Sequence, residues 1–204
     1  MRTQSKHRPR SLSALATLIC AAAPLIAFAH GKPQRPPQLS PAQPATLIGS
    51  CEGLQAQLTG LPDTVFSGFS TVAAGTLQVA GQPVPEHCRV TGRMNDRVGL
   101  DGRPYAIGFE LRLPVEWNGR FWHQGNGGID GSVVPATGAL GGGPLTHALA
   151  LGFAVISSDA GHPGAYGPTF GFDPQARLDY GYQAVGTLTP MAKGSDHRRL
   201  RKRT

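Results

Sequence analysis

An unbroken apolar run, Phe153-Ala154-Val155-Ile156-Ser157, constrains this chain more than any other stretch. Successive side chains of a strand point to opposite faces, so a run without alternation must be covered on both, as the inner strands of a parallel sheet are. Pro144 to Leu151 stands just before it with Leu145, His147, Ala148 and Leu149 at helical spacing, Pro near the start and Gly152 placed to cap the end. Upstream, Ile107, Phe109, Leu111 and Leu113 share one face while Gly108, Glu110 and Arg112 share the other, which predicts a half-buried strand ended by Pro114. Trp117-Asn118-Gly119 predicts a tight turn and Arg120 to His123 a return strand, so a hairpin is expected there. Strand, loop, helix and strand in succession define an α/β pattern.

Flanking elements are shorter. Cys51 to Leu61 places Leu54, Leu58 and Leu61 on one helical face before Pro62 stops it. From Val65 to Val90, β-like stretches such as Thr76-Leu77-Gln78-Val79 alternate with Gly and Pro turns, as in a small antiparallel region. Asp179 is expected to cap a helix whose apolar stripe is Tyr180, Ala184, Leu188 and Met191, weakened by Gly186 and Pro190.

The chain has 204 residues, 40% of them hydrophobic, enough for one packed core, and a net charge of +7 that invites a nucleic-acid reading. The excess sits at the ends: between His30 and Lys193 there are 10 basic and 11 acidic residues, which leaves no footprint for a phosphate backbone. The N-terminal block explains itself as an export signal. Arg2, Lys6, Arg8 and Arg10 precede an apolar run from Leu12 to Phe28, and Ala27-Phe28-Ala29 is a small-x-small cleavage pattern. Cleavage near Ala29 places the mature chain in the periplasm or outside the cell, with no membrane anchor left. Cys20 departs with the signal, and Cys51 and Cys88 are left in an oxidising compartment, where they should pair; two reduced buried thiols are the alternative.

The residues able to do chemistry centre on Phe121-Trp122-His123-Gln124-Gly125-Asn126-Gly127-Gly128, a strand opening into a glycine loop. Bare amides in such a loop can stabilise the oxyanion of acyl transfer. The other parts are missing: Ser70, Ser132, Ser157 and Ser158 all lack the flanking glycines of a Gly-x-Ser-x-Gly elbow, so no catalytic residue is assigned. Asp159, His162, His123 and His147 match no metal-ligand spacing and are read as loop-end groups bonded to backbone.

At these residues the sequence resembles the tannase and feruloyl esterase family of secreted α/β-hydrolases. The likeness runs from about Cys51 to Lys193. It is carried by Leu61-Pro62-Asp63-Thr64, His87-Cys88-Arg89-Val90-Thr91-Gly92, Trp117-Asn118-Gly119-Arg120-Phe121, Gly125-Asn126-Gly127-Gly128, Ser158-Asp159-Ala160-Gly161-His162 and Asp179-Tyr180-Gly181-Tyr182. The resemblance implies a Ser-His-Asp hydrolase of aromatic-acid esters, with Gly127 or Gly128 as a backbone oxyanion donor and a Cys51–Cys88 disulfide. It also implies a nucleophile turn, Asp and His elements and a lid with a calcium site, all beyond the residues present. No other cofactor is implied.

The expected organisation is a signal peptide over 1–29, a Pro-rich linker over 30–45, the N-terminal portion of an α/β-hydrolase sheet over 46–193 with its small antiparallel region first, and a basic tail over 194–204. That tail resembles out-of-frame sequence, and a truncated gene product without turnover is the expectation. An exported, non-catalytic module that binds aromatic ligands through the glycine loop, Trp117 and Trp122 is the rival reading.

Overall fold

The computed structural model describes residues 41–58, 60–139 and 147–202. The signal over 1–29, most of the linker and the first residues of the helix expected from Pro144 lie outside them. Within them, His147 to Gly152 forms hydrogen-bonded turns, with Leu151 N–H donating to the His147 carbonyl at 3.2 Å and Gly152 N–H to Leu149 at 3.0 Å.

The elements in chain order are β1 (Ala45–Leu47), α1 (Leu54–Leu58), β2 (Thr64–Val72), β3 (Gln78–Val79), β4 (Gln82–Pro83), β5 (His87–Val98), β6 (Pro104–Pro114), β7 (Glu116–Trp117), β8 (Phe121–Gln124), β9 (Ala154–Ser158), α2 (Pro174–Leu178), α3 (Ala184–Arg199) and β10 (Leu200–Lys202). A 3-10 segment, Gly164–Phe172, precedes α2, and a π-turn, Asp179–Gln183, joins α2 to α3. The main sheet runs β2-β5-β6-β9-β8, antiparallel except for the parallel pair β8 and β9, so the antiparallel region and the parallel pair share one sheet.

The expected hairpin between the strands around Phe109 and Phe121 does not form. β9 lies between them, pairing Leu111 with Ile156 on one side and His123 with Ile156 on the other. All five residues of β9 are buried, and a strand apolar on both faces is best covered inside a sheet, which leaves β8 at the edge. Its two faces serve different cores: Ile156 packs with Leu111, Phe109 and Leu188 under α1 and α3, while Val155 packs with Val84, Ala136 and Leu149.

That second core changes the reading of β6. Glu110 and Arg112, expected to face solvent, are only 4% and 6% exposed. Glu110 accepts from Arg89 Nε at 2.6 Å, from Arg112 Nε at 2.7 Å and from Ala136 N–H at 2.9 Å. Burial pushes the Glu110 carboxyl up, but these donors outweigh it and hold the group below its ordinary range. His87 completes the network, 2.6 Å from Arg112 Nη1 through Nε2 and 2.7 Å from the Pro85 carbonyl through Nδ1. Burial lowers its pKa, so the imidazole is neutral, donating to Pro85 and accepting from Arg112.

Cys51 and Cys88 form the expected disulfide, with Cα atoms 5.2 Å apart, joining the start of the α1 segment to β5. The C-terminal helix begins earlier than expected. Asp173, not Asp179, is the cap: its carboxylate accepts from Ala176 N–H at 2.7 Å, and Pro174 takes the first helical position. Asp173 also accepts from Arg97 Nη2 at 2.7 Å and Leu100 N–H at 3.0 Å, which ties the β5–β6 turn to α2. Asp179 is 4% exposed inside the π-turn, where a wider winding separates it from the next buried helical residue, Ala184.

Candidate oxyanion site

Because β8 and β9 are parallel, the loops leaving their C-terminal ends start side by side. Gln124 closes β8 and anchors the first loop, its Oε1 accepting from Gly138 N–H at 2.8 Å and its Nε2 donating to Asn126 Oδ1 at 2.9 Å. Asn126 spans to the neighbouring strand: its Nδ2 donates to Ser157 Oγ at 3.0 Å and to the Ser158 carbonyl at 2.8 Å. Farther along, Gly131 N–H donates to the Asp159 carbonyl at 3.1 Å, and Gly164 N–H to the Gly131 carbonyl at 2.6 Å. Both ends of the loop are therefore held to the sheet rim.

Between these anchors Gly127 and Gly128 take φ of 82° and 61°, the left-handed region that side-chain-bearing residues avoid. Their carbonyls are engaged, that of Gly127 by Asp130 N–H at 3.1 Å and that of Gly128 by the Tyr180 hydroxyl at 3.1 Å. Their N–H groups meet no acceptor among the described residues, and a Cβ added at either glycine would have nothing within 4 Å. Two exposed amides on a loop clamped at both ends can receive a small anion with little reorganisation.

The serines are placed otherwise. Ser157 and Ser158 are buried, Ser157 bonded to Asn126 and Ser158 Oγ accepting from Ala160 N–H at 3.3 Å. His123 faces Thr189 Oγ1 at 3.2 Å, and His147 Nδ1 lies 2.9 Å from the Thr137 carbonyl. His162 is fully buried, stacked on Phe170 with ring centroids 3.7 Å apart. Among the described residues no three His, Cys, Asp or Glu side chains gather as a metal site.

Asp159 begins the second loop and accepts through Oδ1 from Gly108 N–H at 3.0 Å and Gly161 N–H at 2.9 Å. Burial outweighs these bonds and raises its pKa from 3.8 to about 6. An acid whose folded pKa is raised binds more protons folded than unfolded, so this group costs stability as pH rises from 3.8 to about 6. Asp159→Asn keeps an acceptor for both amides and removes the charge; thermal melts of the variant are expected to lose part of the wild-type decline across that window. An unchanged slope counts against the burial of this carboxyl.

Asn126, Gln124 and Tyr180, which hold the loop, stand in the sequence motifs without a role of their own assigned there. Only the Asn between glycines carried a local signal; Tyr180 read as one member of an apolar stripe.

A mixed sheet with helices packed on it, and a glycine loop at the C-terminal rim of its parallel pair, places the chain in the α/β-hydrolase class. The sequence model described as tannase and feruloyl esterase matches residues 88–202, more than half of the chain, and the chain belongs to that family. It is 40% identical over 167 residues to the mono(2-hydroxyethyl) terephthalate hydrolase of Piscinibacter sakaiensis, covering 74% of this chain and 27% of that protein. It is 34% identical over 88 residues to a probable feruloyl esterase B-2 of Aspergillus flavus, covering 43% of this chain and 16% of the relative. Among solved structures it is similar to feruloyl esterase B from Aspergillus oryzae, with a TM-score of 0.54 and 25% identity over 71% of this chain and 28% of that one. The chain thus spans about a quarter of the length of such relatives.

Proposed function

We propose that this chain supplies the oxyanion wall of an exported carboxylic ester hydrolase, with the N–H groups of Gly127 and Gly128 donating to the carbonyl oxygen as it gains charge. The observation that carries the reading is the pair of left-handed glycines at the rim, their carbonyls engaged and their amides without acceptors among the described residues. Esters of aromatic acids are the proposed substrates: the relatives are named for terephthalate and feruloyl compounds. The basic and apolar residues up to Ala29 and the disulfide support export. Among the described residues no helix is long and apolar enough to cross a membrane.

Acyl transfer by this family's route needs a Ser nucleophile activated by His and oriented by Asp. These 204 residues hold no Gly-x-Ser-x-Gly turn. Alone, the chain is therefore proposed to bind a carboxylate at the loop without turning over an ester. Purified protein incubated with p-nitrophenyl acetate or methyl ferulate is expected to release product no faster than the buffer blank, while benzoate shifts the amide resonances of Gly127 and Gly128. Turnover that resists serine-directed inhibitors overturns the proposed division of labour, and silent amides overturn the oxyanion reading.

A further inference from the structure

We propose that Tyr180 is a positioning residue for the oxyanion loop, holding the peptide between Gly128 and Ile129 in one of two available orientations. The inference rests on the oxyanion reading of that loop and names the group that keeps it shaped. Asp130 N–H donating to the Gly127 carbonyl at 3.1 Å closes a four-residue turn with Gly128 and Ile129 at its centre. Gly128 has φ of 61° and Ile129 does not take a positive φ, the signs of a type II′ turn. Rotating the central peptide by about half a revolution converts type II′ to type I′, in which both central residues have positive φ.

A trans peptide points its N–H and C=O in opposite directions. The Tyr180 hydroxyl, donating to the Gly128 carbonyl at 3.1 Å, therefore turns the Ile129 N–H away from the helix. The flipped peptide places a carbonyl oxygen where that N–H had been, and its dipole repels the anion that the neighbouring amides attract. Ile129 opposes the flip as well, because a β-branched residue rarely accepts positive φ. Two locks thus act on one peptide, a hydroxyl from the helix and a branched side chain in the turn.

The helix presents that hydroxyl through its π-turn. Asp179 packs on Gly161 of the second loop so closely that a Cβ there would lie 2.6 Å from the Asp179 Cβ, while Tyr180 reaches the first loop. The Tyr180 ring meets Phe170 edge-on at 5.2 Å and His162 at 5.8 Å, which limits its motion. One wide turn of helix touches both rim loops, and π-turns are frequent at functional sites.

The test uses the full chain labelled with nitrogen-15 and carbon-13, with Tyr180→Phe, Ile129→Gly and the double variant. Backbone couplings report φ at residue 129, the Gly128 carbonyl shift reports its hydrogen bond, and benzoate titration reports anion affinity at the Gly127 and Gly128 amides. Tyr180→Phe is expected to move the Gly128 carbonyl resonance and, with Ile129 still opposing the flip, to leave benzoate within about twofold of the wild type. Ile129→Gly alone should match the wild type, and the double variant should show positive φ at residue 129 with benzoate about tenfold weaker, both locks being gone. If the double variant keeps the couplings and affinity of Ile129→Gly, or if Tyr180→Phe leaves the Gly128 carbonyl unmoved, the positioning role is overturned. If benzoate leaves the wild-type amides unmoved while the couplings still respond to the variants, the oxyanion reading falls and the peptide lock stands.

Discussion

Glu110→Ala is expected to destabilise the chain by about 4 kcal/mol, the scale for breaking a buried ion pair from one side. The size follows from what remains. Arg112 is 6% exposed and holds two partners, Glu110 at 2.7 Å and His87 at 2.6 Å. Without the carboxylate its charge faces only a neutral imidazole, and the Ala136 amide loses its 2.9 Å acceptor in the second core. Desolvation of a charge with no counter-charge then dominates, and the surface partner Arg89, 44% exposed in its side chain, can turn to water at little cost. Urea melts followed by circular dichroism read the effect as a lower midpoint with little change in slope. Glu110→Gln, which keeps an acceptor for Ala136 and the side-chain volume, should lose somewhat less, and a Gln variant as stable as the wild type would show that the Ala136 acceptor and the volume, not the charge facing Arg112, are at stake. The sign with pH is set by the lowered carboxyl: its contribution is present above the unfolded value and is lost as pH falls through the folded one.

Removing the disulfide is the second large effect. Cys51→Ala/Cys88→Ala is expected to lose about 4 kcal/mol in the chain-entropy account of a loop this long. The bridge spans a sequence separation of 37 and encloses α1, β2 and the β3–β4 hairpin, so its loss frees much of the unfolded chain. Unlike the Glu110 change, this one acts largely on the unfolded ensemble, which expands, and the urea slope should rise as the midpoint falls. Reductant should lower the wild-type midpoint toward that of the variant and leave the variant unmoved. A variant as stable as the oxidised wild type would mean that Leu54, Leu58 and Val90 hold α1 to the sheet without the bridge.

What could be read along the chain was what depends on near neighbours. The apolar run at 153–157 announced a strand covered on both faces, and β9 is buried throughout. Leu54 and Leu58 marked a helical face, and both are buried in α1. Gly125 to Gly128 marked a loop at a strand end, and β8 does end at Gln124. The errors came where distant residues decide. Alternation along β6 implied one wet face, but Glu110 and Arg112 are buried and Ala136, from later in the chain, donates its N–H to Glu110 there. Adjacency in sequence suggested that β6 and β8 pair, whereas the strand that needs most cover took the place between them. Asp179 looked like a cap because the Pro174 start, fixed by Asp173 and its bond to Arg97 76 residues away, carried no helical stripe of its own.

By itself the sequence determined that this is an α/β chain with a paired-cysteine staple, a fully buried strand and two successive glycines free to turn left-handed, because each follows from composition over a few residues. Only the tertiary structure decided strand order, the burial of Glu110 with Arg112 and the contact of Tyr180 with a carbonyl 52 residues earlier. Those outcomes depend on which surfaces compete for cover and which polar groups must then find partners away from water, a balance struck over the whole core.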